Sequence, residues 1–291
     1  MINFRQIKLE DKPLYEQIKK NTPPRGCEMS FANLYLWGKQ DIAFINGHAL
    51  FLSTFSKSFY PFPVGEGDKK PLIDEIIKDS KERNIPLLIS AICEEEKQIL
   101  ESLYPNEFEF STTIDSYDYV YSIDDLAELK GKKYHKKRTH LNNFYKNYPN
   151  YTVEPFTSEN IDKIKEMVDK WYEEKEGDFD YEKEVFRRAM ENYEALELEG
   201  LAIINEGEVL AVTFGSRMQE DTFDVHFEKA KSDAVGAYPA INNEFAKYIR
   251  GKYPEIKYLD REEDMGLEGL RKAKESYYPH HQVVKYTAKK K

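Results

Sequence analysis

Two turn signals, placed alike in the two halves of the chain, constrain its fold more than any other feature. Asn46-Gly47 joins the apolar runs 42–45 and 49–54, and Asn205-Glu206-Gly207 joins 201–204 to 209–216. Residues that accept positive φ between two such runs predict β-hairpins. Apolar residues recur at helical spacing before each hairpin, and strand and helix patterns alternate after it. The first half reads as a strand at 2–7, helices at 12–20 and through Phe31, Leu34 and Trp37, the hairpin, a helix at 71–83, a strand at 86–91, a helix at 94–103 and a strand at 115–121. The break Thr22-Pro23-Pro24-Arg25-Gly26 separates its first two helices. The second half repeats the order: a strand at 151–154, helices through Ile161, Ile164, Val168 and Trp171 and over 181–193, the hairpin, a strand at 222–228, a helix at 238–250, a strand at 256–259, a helix at 266–276 and a strand at 282–286. A helical stretch over 124–148 joins the halves. The expectation is an α/β (α+β) chain of two similar units, each a mixed, mostly antiparallel sheet flanked by helices. The first spans 1–125; the second, with the linker helix, spans 126–291.

A chain of 291 residues is long enough for a core in each unit. With 33% charged residues and no long apolar run, it offers no spanning helix. Met1-Ile2-Asn3-Phe4-Arg5 lacks the basic and apolar regions of a secretory leader, so a cytoplasmic protein is expected. Cys27 and Cys93 lie far apart with no ligand at metal spacing, which argues against a disulfide framework and a zinc site, and no metal is expected. The net charge of -10 argues against a surface that coats DNA. Against that balance, Lys130-Gly131-Lys132-Lys133-Tyr134-His135-Lys136-Lys137-Arg138 is densely basic, either a local binding site or the solvated face of an inter-domain helix.

Three segments of the second half could carry chemistry. In Thr222-Phe223-Asp224-Val225-His226-Phe227-Glu228, alternation puts Asp224, His226 and Glu228 on one face, where Glu228 or His226 could act as a general base. The same alternation arises on any half-solvated strand. Lys231-Ser232-Asp233-Ala234-Val235-Gly236-Ala237-Tyr238 is a small-residue loop feeding a helix with Pro239 in its first turn, a setting whose N–H groups suit an anion. Finally, 258–279 passes from a strand end through a charged loop into a helix. There Arg261 and Asp264 could orient a nucleophile or its carboxylate, Arg271 and Lys274 could reach a phosphate, and Tyr277 or Tyr278 could protonate a leaving group; the same charges also suit a salt-bridged surface helix.

The segments 31–37, 117–121, 131–138, Val225-His226-Phe227-Glu228-Lys229-Ala230, Gly236-Ala237-Tyr238, 240–245 and 261–279 together resemble the C-terminal domain of bacterial phosphatidylglycerol lysyltransferases and their stand-alone relatives. The resemblance implies a tandem GNAT-type acyltransferase fold in which the second unit keeps the donor site and the first is structural. It places the donor along Phe227 and Lys229 and over the loop Lys231, Ala234, Val235, Gly236, Ala237 and Tyr238. The later helical tyrosine it implies is Tyr277 or Tyr278; the residue pattern itself offers Glu228, His226, Asp264 and Tyr278 as catalytic groups, and Arg261 with Lys133, Lys136, Lys137 and Arg138 for the substrate. The loop departs from the family pattern Gln/Arg-x-x-Gly-x-Gly/Ala, with Lys231 and Ala234 in its first and fourth positions. The donor the resemblance implies is coenzyme A (an acyl-CoA) or an aminoacyl-tRNA; the acceptor is an unknown amine or hydroxyl. A non-catalytic nucleotide- or protein-binding module on the same fold is the alternative.

Overall fold

Each half of the chain builds the same succession of elements. In a computed structural model that describes residues 1–23, 25–54 and 57–291, the first half runs β1 (Arg5–Gln6), α1 (Lys12–Lys19), α2 (Phe31–Trp37), β2 (Gln40–Ile45), β3 (His48–Ser53), β4 (Tyr60–Pro61), α3 (Lys70–Arg83), β5 (Leu88–Ile92), α4 (Glu94–Leu103) and β6 (Phe108–Thr112). Pro24, in the expected break, lies outside the described residues. There follow β7 (Asp118–Ser122), α5 (Ile123–Glu128) and α6 (His135–Asn147). The second half repeats the order as β8 (Thr152–Pro155), α7 (Ile161–Glu173), α8 (Asp180–Glu191), β9 (Glu199–Asn205), β10 (Glu208–Arg217), β11 (Thr222–Ala230), α9 (Ala237–Lys252), β12 (Tyr258–Asp260), α10 (Glu268–Glu275), β13 (His281–Val283) and β14 (Tyr286–Lys290).

Local chemistry accounts for the boundaries. The Ser30 hydroxyl accepts the Asn33 N–H and starts α2, while Asn84, at φ 55°, turns the chain out of α3. Asn46 and Gly47 both sit at positive φ in the β2–β3 hairpin, as their pairing predicts.

The chain divides into two compact units: 1–118 with 263–268 and 282–291, and 119–262 with 269–281. The sequence reading put the change-over at 125/126. In the first unit the strands run β1-β2-β3 and β4-β5-β14-β6; in the second, β13-β7-β12-β11-β10-β9-β8. Each unit has a parallel pair, β4 with β5 and β11 with β12, linked by a crossover helix, α3 or α9, among antiparallel neighbours. A strand from the opposite half of the sequence completes each sheet. β7, at the end of the first half, pairs with β12, and β14, at the end of the chain, lies between β5 and β6.

Three sequence expectations are corrected. The strand expected over 115–121 starts at Asp118, after a 3-10 turn at Ile114–Ser116. The strand expected over 282–286 is two, β13 and β14, parted at Val284 and Lys285. The linker helix breaks between α5 and α6, where Leu129 (φ 48°) caps α5 through its N–H to the Asp125 carbonyl and Gly131 (φ 88°) redirects the chain. In the second unit, Phe223, Leu259, Ile241, Phe245, Ile249 and Phe144 are fully buried and share one core with Val225. That core fixes β11, between β12 and β10, against α9, and so sets where the opposite, polar face of β11 points.

Candidate functional site

The site begins where two parallel strands part. Thr222, Phe223 and Asp224 of β11 pair with Tyr258, Leu259 and Asp260, but β12 ends at Asp260 while β11 runs on to Ala230. Among the described residues, the β12-side edge of β11 from Val225 onward therefore has no strand partner. On the other side, β10 shifts register between Phe214 and Gly215. A Cβ on Gly215 would lie 2.0 Å from the Asp224 carbonyl oxygen, so only glycine lets the two strands come this close.

The polar face of β11 is not a solvated one. Asp224 is fully buried and the His226 side chain is 3% exposed. The His226 ring is held on both sides: Nε2 lies 2.8 Å from the Ser216 Oγ, and Nδ1 lies 3.2 Å from Glu262 Oε1 and 3.4 Å from Asp224 Oδ2. Glu262 sits at φ 56°, where its N–H donates to Asp260 Oδ1 at 2.8 Å. The loop that carries it is tied down by the buried Lys274, whose ammonium donates to the carbonyls of Arg261 and Glu262. His226 thus belongs to an interior network.

Glu228, two residues on, opens a second group. Its carboxylate accepts from Arg261 at 2.8 Å and from Asn242 at 3.4 Å. The Arg261 guanidinium lies over the rings of Tyr277 (5.2 Å) and Tyr121 (5.7 Å), and Lys137 Nζ stands 3.6 Å from the Tyr277 ring centroid. Burial, aided by Arg261, pushes the Lys137 ammonium down to about 8, against the pull of Glu228. Burial pushes the Tyr277 phenol up, so it stays protonated. A carboxylate, a guanidinium and an amine that can lose its proton near neutrality therefore meet at the open edge of β11.

Other expected site residues lie elsewhere. Tyr278 is 48% exposed, stacked edge-on against Tyr134, and Tyr277 takes the place beside Arg261. Asp264 belongs to the first unit, where its buried carboxylate accepts the Gly266 N–H at 2.8 Å. Lys274 is spent on backbone carbonyls, and Arg271 is half-buried on α10. Lys229 Nζ lies 4.0 Å over the Trp171 ring and 2.8 Å from Glu182, beside the buried Phe227.

In the expected donor loop, Lys231 pairs with Glu208, and the N–H groups of Ala234, Val235 and Ala237 donate within the loop. Val235 is exposed, Tyr238 partly so, and Ala234 and Ala237 are buried. Gly236 (φ 85°) packs on α6: a Cβ there would lie 2.6 Å from the His140 carbonyl oxygen and 2.9 Å from Phe144 Cβ. Gly236→Ala is expected to destabilise by about 1–3 kcal/mol, read as a lower melting temperature, because it adds strain at positive φ to a clash with a helix backbone. The hollow beside this loop carries Glu166, Glu174, Glu206, Glu208 and Asp233 against Lys163, Lys170 and Lys231. Within the basic patch, Lys133 binds Asp125, Lys130 binds Glu128 and Arg138 binds the carbonyls of Leu129 and Gly131; Lys132 and Lys136 remain exposed.

Sequence reasoning missed Glu262 and Ser216 as partners of His226, and the role of Lys137 beside Tyr277. Glu262 could have been found as the second residue past a strand end; Ser216 carries no such signal, because a register shift brings it to the ring. No helix among the described residues is long and apolar enough to cross a membrane.

Residues 19–289 match the family described as phosphatidylglycerol lysyltransferase, C-terminal. A conserved protein of unknown function from Bacteroides thetaiotaomicron is similar over the whole of both chains, at 35% identity and a TM-score of 0.92. The L-PGS structure from Bacillus licheniformis shares the fold at 14% identity and a TM-score of 0.71, over 100% of this chain and 94% of that one. A tandem GNAT protein from the clavulanic acid biosynthesis pathway shares it at 10% identity and a TM-score of 0.52, over 99% and 98%. No curated protein matches the sequence.

Proposed function

Since the chain belongs to the phosphatidylglycerol lysyltransferase C-terminal family, with its tandem GNAT-like acyltransferase fold, we propose that it is an aminoacyl or acyl transferase whose reaction centre is the open edge of β11 beside Glu228. The observation that carries this reading is the grouping of Glu228, Arg261, Tyr277 and Lys137 where β11 and β12 part. A carbonyl laid along the unpaired edge can accept an N–H from β11, which stabilises the oxyanion as a hydroxyl or amine attacks. Arg261 holds the Glu228 carboxylate in place, so Glu228 takes the acceptor's proton, directly or through one water. Lys137 returns a proton to the departing oxygen or sulfur, and its position near 8 suits it to both halves of that exchange. No covalent enzyme intermediate is required.

For the donor, the acidic surroundings of the loop before α9 favour an ester over coenzyme A. A pyrophosphate at that loop would face Asp233, Glu208 and Glu174, with Lys231 already engaged. An aminoacyl-tRNA needs no pyrophosphate there, and Lys132 and Lys136 are free to meet its phosphates.

If Lys137 is the proton donor, the transfer rate falls as pH rises through about 8, the amine losing the proton it must give. Lys137→Met should abolish that alkaline limb along with most of the activity. A limb unchanged in the variant would remove Lys137 from the chemistry. The second reading, a module that binds a nucleotide or protein without turnover, predicts donor or partner binding that Glu228→Gln leaves intact and no transfer by either form.

A further inference from the structure

The interior network behind the reaction centre has dimensions of its own. His226 Nδ1, Asp224 Oδ2 and a Glu262 carboxylate oxygen all lie within 4.8 Å of one another, from two places on β11 and from the loop after β12. The two separations that involve Nδ1 are 3.2 and 3.4 Å. Hydrogen bonds to a carboxylate, when they dominate a buried pair, shorten to about 2.7–2.9 Å. Ligands on a tetrahedral first-row cation, at about 2.0–2.1 Å from the metal, stand about 3.3 Å apart along each edge. The spacing matches the second geometry better than the first.

The other ring nitrogen points the same way. Nε2 sits 2.8 Å from the Ser216 hydroxyl. A Nε2–H donated to Ser216 leaves the Nδ1 lone pair turned toward the two carboxylates, the arrangement in which an outer partner fixes the tautomer and angle of a metal-bound imidazole. The backbone is fixed as well, since Glu262 is held by its N–H to Asp260 and by Lys274 on its carbonyl. The His226 and Asp224 side chains are 3% and 0% exposed, and Glu262, at 20%, leaves one side through which a fourth ligand can enter.

We infer that Asp224, His226 and Glu262 form a binding site for a divalent first-row cation, with zinc the best fit to one imidazole and two carboxylates at this spacing. Calcium and magnesium, which take oxygen ligands in greater number, fit it poorly. The cation would bridge β11 to the loop after β12 at the point where the strands part, and so hold Arg261, the residue next to Glu262, against Glu228. The site is independent of the proposed transfer reaction, and its test uses no acyl donor.

Untagged full-length protein is stripped with chelator, dialysed and titrated with zinc chloride against a chromophoric competitor, with bound metal counted by elemental mass spectrometry and melting followed by circular dichroism. The expected result is one zinc per chain, bound tighter than micromolar, with a melting temperature higher by several degrees. His226→Asn and Glu262→Gln should each weaken binding at least 100-fold, and Ser216→Ala about 10–100-fold. The His280–His281 pair could collect zinc on the surface, so His281→Ala should keep the tight site. Wild-type protein that takes up neither zinc nor manganese tightly overturns the proposal, whether or not the variants fold. So does tight binding that survives in folded His226→Asn, or that is lost in His281→Ala.

Discussion

Replacing Lys285 with methionine is expected to cost about 3–5 kcal/mol of stability at pH 8, because it removes an ammonium that faces three carboxylates of the first unit. Lys285 Nζ lies 2.8 Å from Glu28, Asp118 and Glu263 alike and 3.7 Å from the Cys27 sulfur, with its side chain 7% exposed. Gly26 makes room for this cluster, since a Cβ there would lie 1.9 Å from Asp118 Oδ2. Burial raises the Asp118 carboxyl to about 6 and the Glu263 carboxyl to about 7, with neighbouring acids adding to the shift and Lys285 opposing it. The folded protein thus binds protons that the unfolded chain has released once pH exceeds about 4. Stability from these two groups is greatest near the acid end of that window and declines as pH rises to about 7. The same sign makes the Lys285→Met defect smaller at pH 5, where the acids can take up protons, than at pH 8. Denaturant melts at the two values check this; an equal defect at both would mean that packing of the lysine stem, not charge, carries the effect.

The second large effect concerns chemistry. Glu228→Gln should lower the rate of transfer about 10²–10⁴-fold, the range of a lost general base. It should leave the fold in place, because glutamine keeps an oxygen for Arg261 and its side chain occupies the same space. A conservative Glu228→Asp should recover part of the rate, as a merely structural acceptor would not require. Loss of rate with unchanged donor binding separates this role from one in binding alone.

Much of the fold was legible because its signals are local. Asn46-Gly47 and the Asn205-Glu206-Gly207 turn announced the hairpins, and α4 falls on the ten residues, Glu94–Leu103, that its periodicity predicted. What escaped is set by partners far away in the chain. β4 is two residues long, too short for any alternation, and β6 is a short, largely exposed strand whose partner, β14, comes from the end of the chain. The exchange of β7 and β14 between the two halves of the sequence leaves no mark on any local pattern. Leu129, a strong helix former, breaks the linker because the turn into Gly131 wins over its propensity.

The site was half legible for the same reason. Alternation on β11 put Asp224, His226 and Glu228 on one face, and the structure keeps them there. Burial then divides them: His226 turns inward to Ser216 and Glu262, and Glu228 turns to Arg261. Choosing Tyr278 over Tyr277 depends on where α10 ends, and Tyr278, at φ 54°, is the residue that leaves it. The basic patch read as a charged surface, yet Lys137 leaves that surface for the face of Tyr277 while its neighbours bind acids and carbonyls nearby.

Transfer from an activated ester at Glu228 can be followed by the fate of a labelled donor. Wild-type protein and Glu228→Gln, incubated at near-physiological salt with labelled aminoacyl-tRNAs and, separately, labelled acyl-coenzyme A, in a cell extract freed of macromolecules as the acceptor pool, test it most directly. Wild-type protein should move label from aminoacyl-tRNA into the pool, and Glu228→Gln should do so at about a hundredth of the rate or less. Label that leaves neither donor with wild-type protein, or leaves equally fast with the variant, would contradict it.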